Sequence, residues 1–171
     1  MTYRPPEPLD AHHRLDGFSC GEAALDEWLA KHARGAHAAG SARVFVSTPD
    51  GETAVGYYAI AAAQVEPQDA TERSRRGQAR RPIPAVLLAR LAVDAGHQRN
   101  GIGRSLLQDV LVRCADAAED VGIRVILVHA KHERAKAFYL RYGFEVSPTD
   151  PLHLLMLMKD VRAYLARAVP G

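Results

Sequence analysis

Residues 85–130 constrain the fold of this chain more than any other stretch. Residues 85–93 form an apolar run broken only by Arg90, the pattern of a strand buried on both faces. A polar, glycine-bearing loop covers residues 94–103. A helix is then expected over residues 104–120, with Leu106, Leu107, Val110, Leu111, Cys114, Ala117, Ala118 and Val121 as its apolar stripe. Gly122 suits its C-terminal cap. Residues 123–130 read as another strand. Strand, helix and strand in this order make a parallel, right-handed βαβ unit and place the chain in the α/β class.

The flanks fit the same class. Pro5, Pro6 and Pro8 oppose helix in an extended lead-in. Ser19 and Glu22 have the spacing of a capping box, ahead of a helix whose Leu25, Trp28 and Leu29 share one face. A second helical piece is expected over residues 31–39, stopping at Gly40. Residues 43–47 and 55–64 read as hairpin strands around the turn Pro49-Asp50-Gly51. Residues 66–81 are polar and aperiodic, and Pro82 and Pro84 delay a central strand until after Pro84. A helix over residues 134–142 ending at Gly143, a strand over 152–158 and a helix over 161–168 complete the expectation. No repeat or linker interrupts the 171 residues, so one domain, 1–171, is expected.

The loop before the central helix carries the chemistry. The first N–H groups of a helix have no intrahelical partner, and the helix dipole makes that end positive. Gly101 and Gly103 let the backbone approach an anion closely. Together they build a phosphate cradle, flanked by Arg99 and Arg104. The loop lacks the GK[ST] of a Walker A sequence and the G-x-G-x-x-G of dinucleotide folds. The cysteines, Cys20 and Cys114, are far apart without metal-type spacing, and the eight histidines form no metal motif; no metal is expected. No apolar run approaches the roughly 18–20 residues that cross a membrane, the N-terminus lacks a signal-peptide core, and a cytoplasmic protein is expected.

The loop's form, Q-x-x-G-x-G from Gln98 to Gly103, resembles the acyl-CoA pyrophosphate loop of the GNAT acetyltransferases. A-K-A-F-Y-L-R-Y-G-F, residues 135–144, resembles the GNAT helix that ends in a Gly-Phe pair. P-I-P-A-V-L-L-A-R-L-A-V-D (82–94) and G-E-A-A-L-D-E-W-L (21–29) are similar to the GNAT toxins of toxin–antitoxin modules, of the TacT, AtaT and KacT type. The resemblance implies a mixed central sheet of six to seven strands flanked by helices, with splayed parallel central strands. It implies acetyl-CoA as cofactor, held by Leu91, Ala92, Val93, Gln98, Arg99, Asn100, Gly101, Ile102, Gly103, Arg104, Ser105 and Phe138. It implies acetylation of the amino group of aminoacyl-tRNA, which stops translation, with a homodimer and a ribbon-helix-helix antitoxin as partners. One departure is that His132 and Glu133 stand where the wider family has an asparagine, which leaves open the group that helps to hold the CoA arm.

Tyr139 is the candidate general acid for the departing thiolate, since a phenol with a reference pKa of about 10 is protonated at neutral pH. An α-amine, with a reference pKa of about 7.7–8.0, needs less help from a base than a lysine amine, and no carboxylate is placed by motif to act as one. Asp94 reads first as a strand-end anchor, with a base as its alternative role. Arg73, Arg75, Arg76, Arg80 and Arg81 share residues 71–81 with one acid, Glu72. Such a segment suits phosphate recognition and, with Arg90, forms the candidate tRNA surface. Two alternatives stay open: a GNAT enzyme for a protein or small-molecule amine, and a non-catalytic CoA- or RNA-binding module.

Overall fold

The computed structural model describes residues 2–168. Its strands are β1 (Glu7–Pro8), β2 (Arg43–Ser47), β3 (Gly56–Val65), β4 (Ile83–Val93), β5 (Val125–His129), β6 (Glu145–Val146) and β7 (His153–Leu157). Its helices are α1 (Ala23–Lys31), α2 (Ala33–Ala39), α3 (Glu72–Arg75), α4 (Ile102–Ala117), α5 (Glu133–Arg141) and α6 (Met158–Ala168). The strands form one mixed seven-stranded sheet in the order β1-β2-β3-β4-β5-β7-β6. β4 and β5 are parallel, with Ala85–Leu88 in register with Val125–Val128; β1–β2, β2–β3, β5–β7 and β6–β7 are antiparallel. The expected α/β sheet with helices around it is therefore present.

The chain packs as two compact units, Met1–Ala61 with Ala89–Val110, and Ala62–Leu88 with Leu111–Gly171. In the first, alternation along the strands sorts side chains to two faces. Val44, Val46, Tyr57, Ala59 and Ala92 meet Leu25, Leu29 and Ala33 of α1 and α2 in one buried cluster. Gly56 and Tyr58 serve the opposite face. A Cβ at Gly56 would lie 2.9 Å from Ile102 Cγ2 and 3.2 Å from Leu106 Cδ1, so the glycine lets the first turn of α4 seat against β3. The Tyr58 hydroxyl donates to Asp109 Oδ2 of the same helix. The second unit is built on Val65, Ala70, Ile83, Ala85, Val125, Leu127, Leu155 and Leu157.

Several local expectations are corrected. Ser19 caps no helix: α1 begins after Glu22, which makes no side-chain cap bond. Ser19 is drawn to another loop instead, its N–H donating to Asp94 Oδ1 at 2.9 Å and its carbonyl accepting from Ala95 N–H at 2.7 Å. β4 starts at Ile83, two residues earlier than expected; Pro84 joins through its carbonyl, which accepts from Arg124 N–H at 2.9 Å, a role needing no N–H of its own. α4 starts at Ile102 and ends at Ala117. It stops by tightening, with Glu119 N–H on Asp116 O and Asp120 N–H on Ala117 O; Gly122 is not left-handed, and Val121 is exposed. The aperiodic stretch holds the one-turn helix α3, capped by Thr71 Oγ1, which accepts from Ser74 N–H at 3.2 Å. By contrast, α2 stops at Gly40 as expected, and that glycine is left-handed (φ 77°).

Candidate active site

The candidate cofactor residues on β4 and the following loop lie in the first unit, where β4 runs into α4. Leu91 and Val93 are half-buried on one face of β4, and Ala92 is buried on the other, against α1. Asp94 ends the strand. Its carboxylate accepts from Ser19 N–H and, at 3.0 Å, from Gly96 N–H, which is the anchoring role expected of it. The Gln98 amide donates to Val93 O at 3.0 Å and to Cys20 O at 3.2 Å, and the Asn100 amide donates to His97 O at 3.1 Å and Gln98 O at 3.3 Å. These two side chains hold the loop in shape from within.

Arg99 is the sole non-glycine residue with positive φ among those described (66°), and Gly101 follows at 79°. Left-handed residues on both sides of Asn100 suit the kind of backbone concavity that binds anions. The Gly101 carbonyl accepts the first helical bond, from Ser105 N–H at 3.0 Å. The N–H groups of Ile102, Gly103 and Arg104 therefore open α4 without intrahelical partners. Ile102 is buried and pins the turn, while Arg104 and Ser105 are exposed. The donor set fits a pyrophosphate: backbone N–H groups, a helix N-terminus and two flanking guanidinium groups.

Tyr139 lies in the second unit on α5, whose N-cap is His132; its Nδ1 accepts from Ala135 N–H at 3.2 Å. The residue standing in the family's asparagine position thus opens the helix. Tyr139 is buried between Phe138 (5.2 Å, edge-on) and Phe144 (5.5 Å, edge-on). Phe138 also packs on Tyr142 at 5.1 Å. The Tyr139 carbonyl accepts from Tyr142 N–H and Phe144 N–H, so the Gly-Phe pair closes the helix behind the ring. Burial pushes the phenol well above its ordinary pKa. The cysteines are unlike nucleophiles. Burial and the neighbouring Asp26 push the Cys20 thiol up to about 11, and burial pushes Cys114 up to about 12, so both are protonated at neutral pH.

The arginine segment is divided in its commitments. Arg73 is held by Glu145 at 2.6 Å and by Asp160 at 2.7 and 2.8 Å, and its guanidinium depresses the Asp160 carboxyl below the usual range. Arg73 therefore ties α3 to β6 and α6, a structural duty the sequence does not reveal. Arg76 makes only a long, exposed contact with Glu72 at 3.7 Å, of little energetic weight. Arg75, Arg80 and Arg81 are exposed. Arg124, which carried no sequence signal, donates to the carbonyls of Ser74 (3.0 Å), Arg76 (3.2 Å) and Arg73 (3.4 Å), capping α3 from outside. Arg90 sits over the Trp28 ring, 4.2 Å from its centroid.

One histidine grouping departs from the sequence expectation. Donor atoms of Glu7, His12 and His13 lie within 4.8 Å of one another. His13 Nδ1 accepts from Asp10 N–H at 2.9 Å, so its proton sits on Nε2 and is donated to Glu7 Oε1 at 2.7 Å. The His13 ring offers no lone pair to a cation in that arrangement; the knot braces β1.

A strand that runs through a glycine-bearing loop into a helix N-terminus defines an α/β protein with an anion-binding element at a strand end. Residues 28–146 match the acetyltransferase (GNAT) domain, and the chain belongs to that family. A tRNA-acetylating toxin of Mycobacterium tuberculosis is 47% identical over 163 residues, covering 95% of this chain and 97% of that one. A probable toxin TacT of Sinorhizobium fredii is 33% identical over 169 residues, 93% of each chain. Among solved structures, a tyrosine-to-phenylalanine mutant of KacT has a TM-score of 0.88 at 27% identity, covering 95% of this chain and 99% of its own. AtaT complexed with acetyl-methionyl-tRNAfMet has a TM-score of 0.87 at 27% identity, with 96% and 99% covered. A tyrosine-to-phenylalanine mutant of AtaT, bound to acetyl-CoA and the C-terminus of the antitoxin AtaR, has a TM-score of 0.82 at 27% identity, with 97% and 99% covered.

Proposed function

We propose that this chain is a toxin that transfers the acetyl group of acetyl-CoA to the α-amino group of aminoacyl-tRNA and so blocks translation. The observation that carries the reading is the 47% identity to a tRNA-acetylating toxin over nearly the whole of both chains. The shared length also supports reading residues 1–171 as one acetyltransferase domain.

Acetyl-CoA supplies the acetyl group as an activated thioester. The N–H groups of Gly101, Ile102, Gly103 and Arg104 hold its pyrophosphate, with Arg99 and Arg104 adding charge. The backbone of Leu91 and Val93 pairs with the pantetheine arm as an added strand would, and a β4 N–H polarises the thioester carbonyl. Gln98, Asn100 and Ala92 act by holding the loop and strand in shape. Tyr139 gives its proton to the departing sulfur; its raised pKa keeps that proton in place until negative charge arrives. Phe138 fixes the ring.

The segment with Arg75, Arg76, Arg80 and Arg81 is a tRNA surface, held in place by Arg73, and Arg90 contacts tRNA from β4. A ribbon-helix-helix antitoxin covers that surface with an acidic tail, and the toxin is a homodimer in the cytoplasm, where charged tRNA is found. The AtaT–AtaR complex supports an antitoxin partner, and no described helix is long and apolar enough to cross a membrane.

Transfer of labelled acetyl from acetyl-CoA to a pool of charged tRNAs, with wild type beside Tyr139→Phe, tests the proposal. Label on the aminoacyl group, reduced by about 10²–10⁴ in the mutant, is expected. Label that survives in Tyr139→Phe would remove the tyrosine from its role. Binding of acetyl-CoA without label on any tRNA would point to another amine.

A further inference from the structure

Arg90 differs from the other well-placed arginines of this chain. Arg73 is matched by two carboxylates and Arg124 by three carbonyls. Among the described residues nothing accepts a hydrogen bond from Arg90; its neighbour is the face of Trp28, 4.2 Å away. Arg90 is half-buried, and no buried side-chain nitrogen among the described residues lacks a partner, so its N–H donors face solvent. A guanidinium presents five donors in a planar fork suited to phosphate oxygens.

The support beneath it is rigid. The Tyr57 hydroxyl donates to Leu25 O of α1 at 2.8 Å, both residues being buried. Trp28, almost one turn further along α1, lies parallel to the Tyr57 ring at 6.1 Å and 10°. Phe18 meets Tyr57 edge-on at 5.5 Å. Trp28 is thus fixed by a locked β3 tyrosine and in turn carries Arg90 of β4, next in sequence to Leu91 in the cofactor strand. An arginine stem is flexible and costs rotamer entropy to immobilise; an indole face beneath the guanidinium offsets that cost through the cation–π interaction.

We propose that Trp28 and Arg90 form one recognition unit for a phosphodiester near the 3′ end of the acceptor strand. Arg90 makes the contact, and Trp28 is the positioning residue that holds the fork ready. The inference rests on the reading of charged tRNA as the substrate.

Kinetic and spectroscopic tests separate the two readings. In a double-mutant cycle, Trp28→Leu and Arg90→Met each raise KM for charged tRNA roughly three- to twentyfold and leave KM for acetyl-CoA within about twofold. The double variant is no worse than Arg90→Met, and Trp28→Phe, which keeps a ring face, restores most of the loss. Full additivity of the two effects, or a parallel rise in both KM values, would overturn the positioning role. Trp28 is the sole tryptophan of the chain, so its emission reports the unit without catalysis or any substitution at Trp28. Deacylated tRNA with an intact 3′ end is expected to shift that emission in wild type and not in Arg90→Met. Absence of a shift in wild type would overturn the site whatever amine is acetylated, whereas a shift without acetyl transfer to charged tRNA would sink the proposed function alone.

Discussion

Tyr139 sits among aromatic rings where a phenolate would be poorly solvated, and this sets its chemistry. Burial disfavours the charged form, so the pKa rises and the proton is retained to higher pH than in water. As the proposed acid, Tyr139 is fully protonated across the working range and contributes no falling limb at neutral or mildly alkaline pH. With the proposed acceptor, the rising limb belongs to the substrate, whose α-ammonium must lose its proton near a reference pKa of about 7.7–8.0 before it can attack. The value of kcat/KM for charged tRNA is therefore expected to climb from about pH 6 toward about 8 and stay level to about 9. A bell-shaped profile with a descending midpoint inside that interval would assign the acid to another group. His132 shows what single residues hide: its sequence neighbourhood announces a departure from the family pattern, and only the geometry shows that the ring opens α5 by accepting from Ala135 N–H.

At the scale of elements, the cradle depends on where α4 begins, and that depends on Gly56. An alanine there would press its methyl against Ile102 and Leu106, two buried side chains with little room to yield. Gly56→Ala is expected to cost about 1–3 kcal/mol of stability, read by denaturant unfolding. It should also raise KM for acetyl-CoA more than KM for charged tRNA, because the N–H groups of the first helical turn move together. Unchanged acetyl-CoA affinity in a destabilised variant would separate the helix start from the cofactor site. The sequence reveals these elements unevenly. β2 is legible to the residue because its β-branched and aromatic run ends where the turn Pro49-Asp50-Gly51 approaches. The Ser19–Glu22 pattern misleads because Asp94 and Ala95, remote in sequence, claim both backbone groups of Ser19. β1 and β6 have two residues each, too few to show a period. α3 is held by the distant Arg124, which no local pattern announces.

For the whole molecule, a net charge of +2 gives little long-range attraction to a polyanion, so any strong salt dependence has to come from local clusters. Replacing Arg75, Arg76, Arg80 and Arg81 with glutamine should flatten the plot of log affinity for tRNA against log salt. The slope should fall by roughly 0.7–0.9 for each phosphate that the segment no longer neutralises, with acetyl-CoA binding preserved. An unchanged slope would remove the segment from the tRNA surface. The loop and the α5 motif are both legible as marks of the family, which the match over residues 28–146 bears out. The division of labour among the arginines is not, because it depends on which carboxylates and rings the fold brings beside each one.

The central claim is that the acceptor is an α-amine carried by tRNA. The most direct measurement compares transfer of labelled acetyl to one tRNA species in its charged and deacylated forms. Label is expected on the charged form alone, released by mild alkaline hydrolysis as an N-acetyl amino acid. Label on deacylated tRNA, or charged tRNA left unlabelled while acetyl-CoA is consumed with another amine, would contradict the claim.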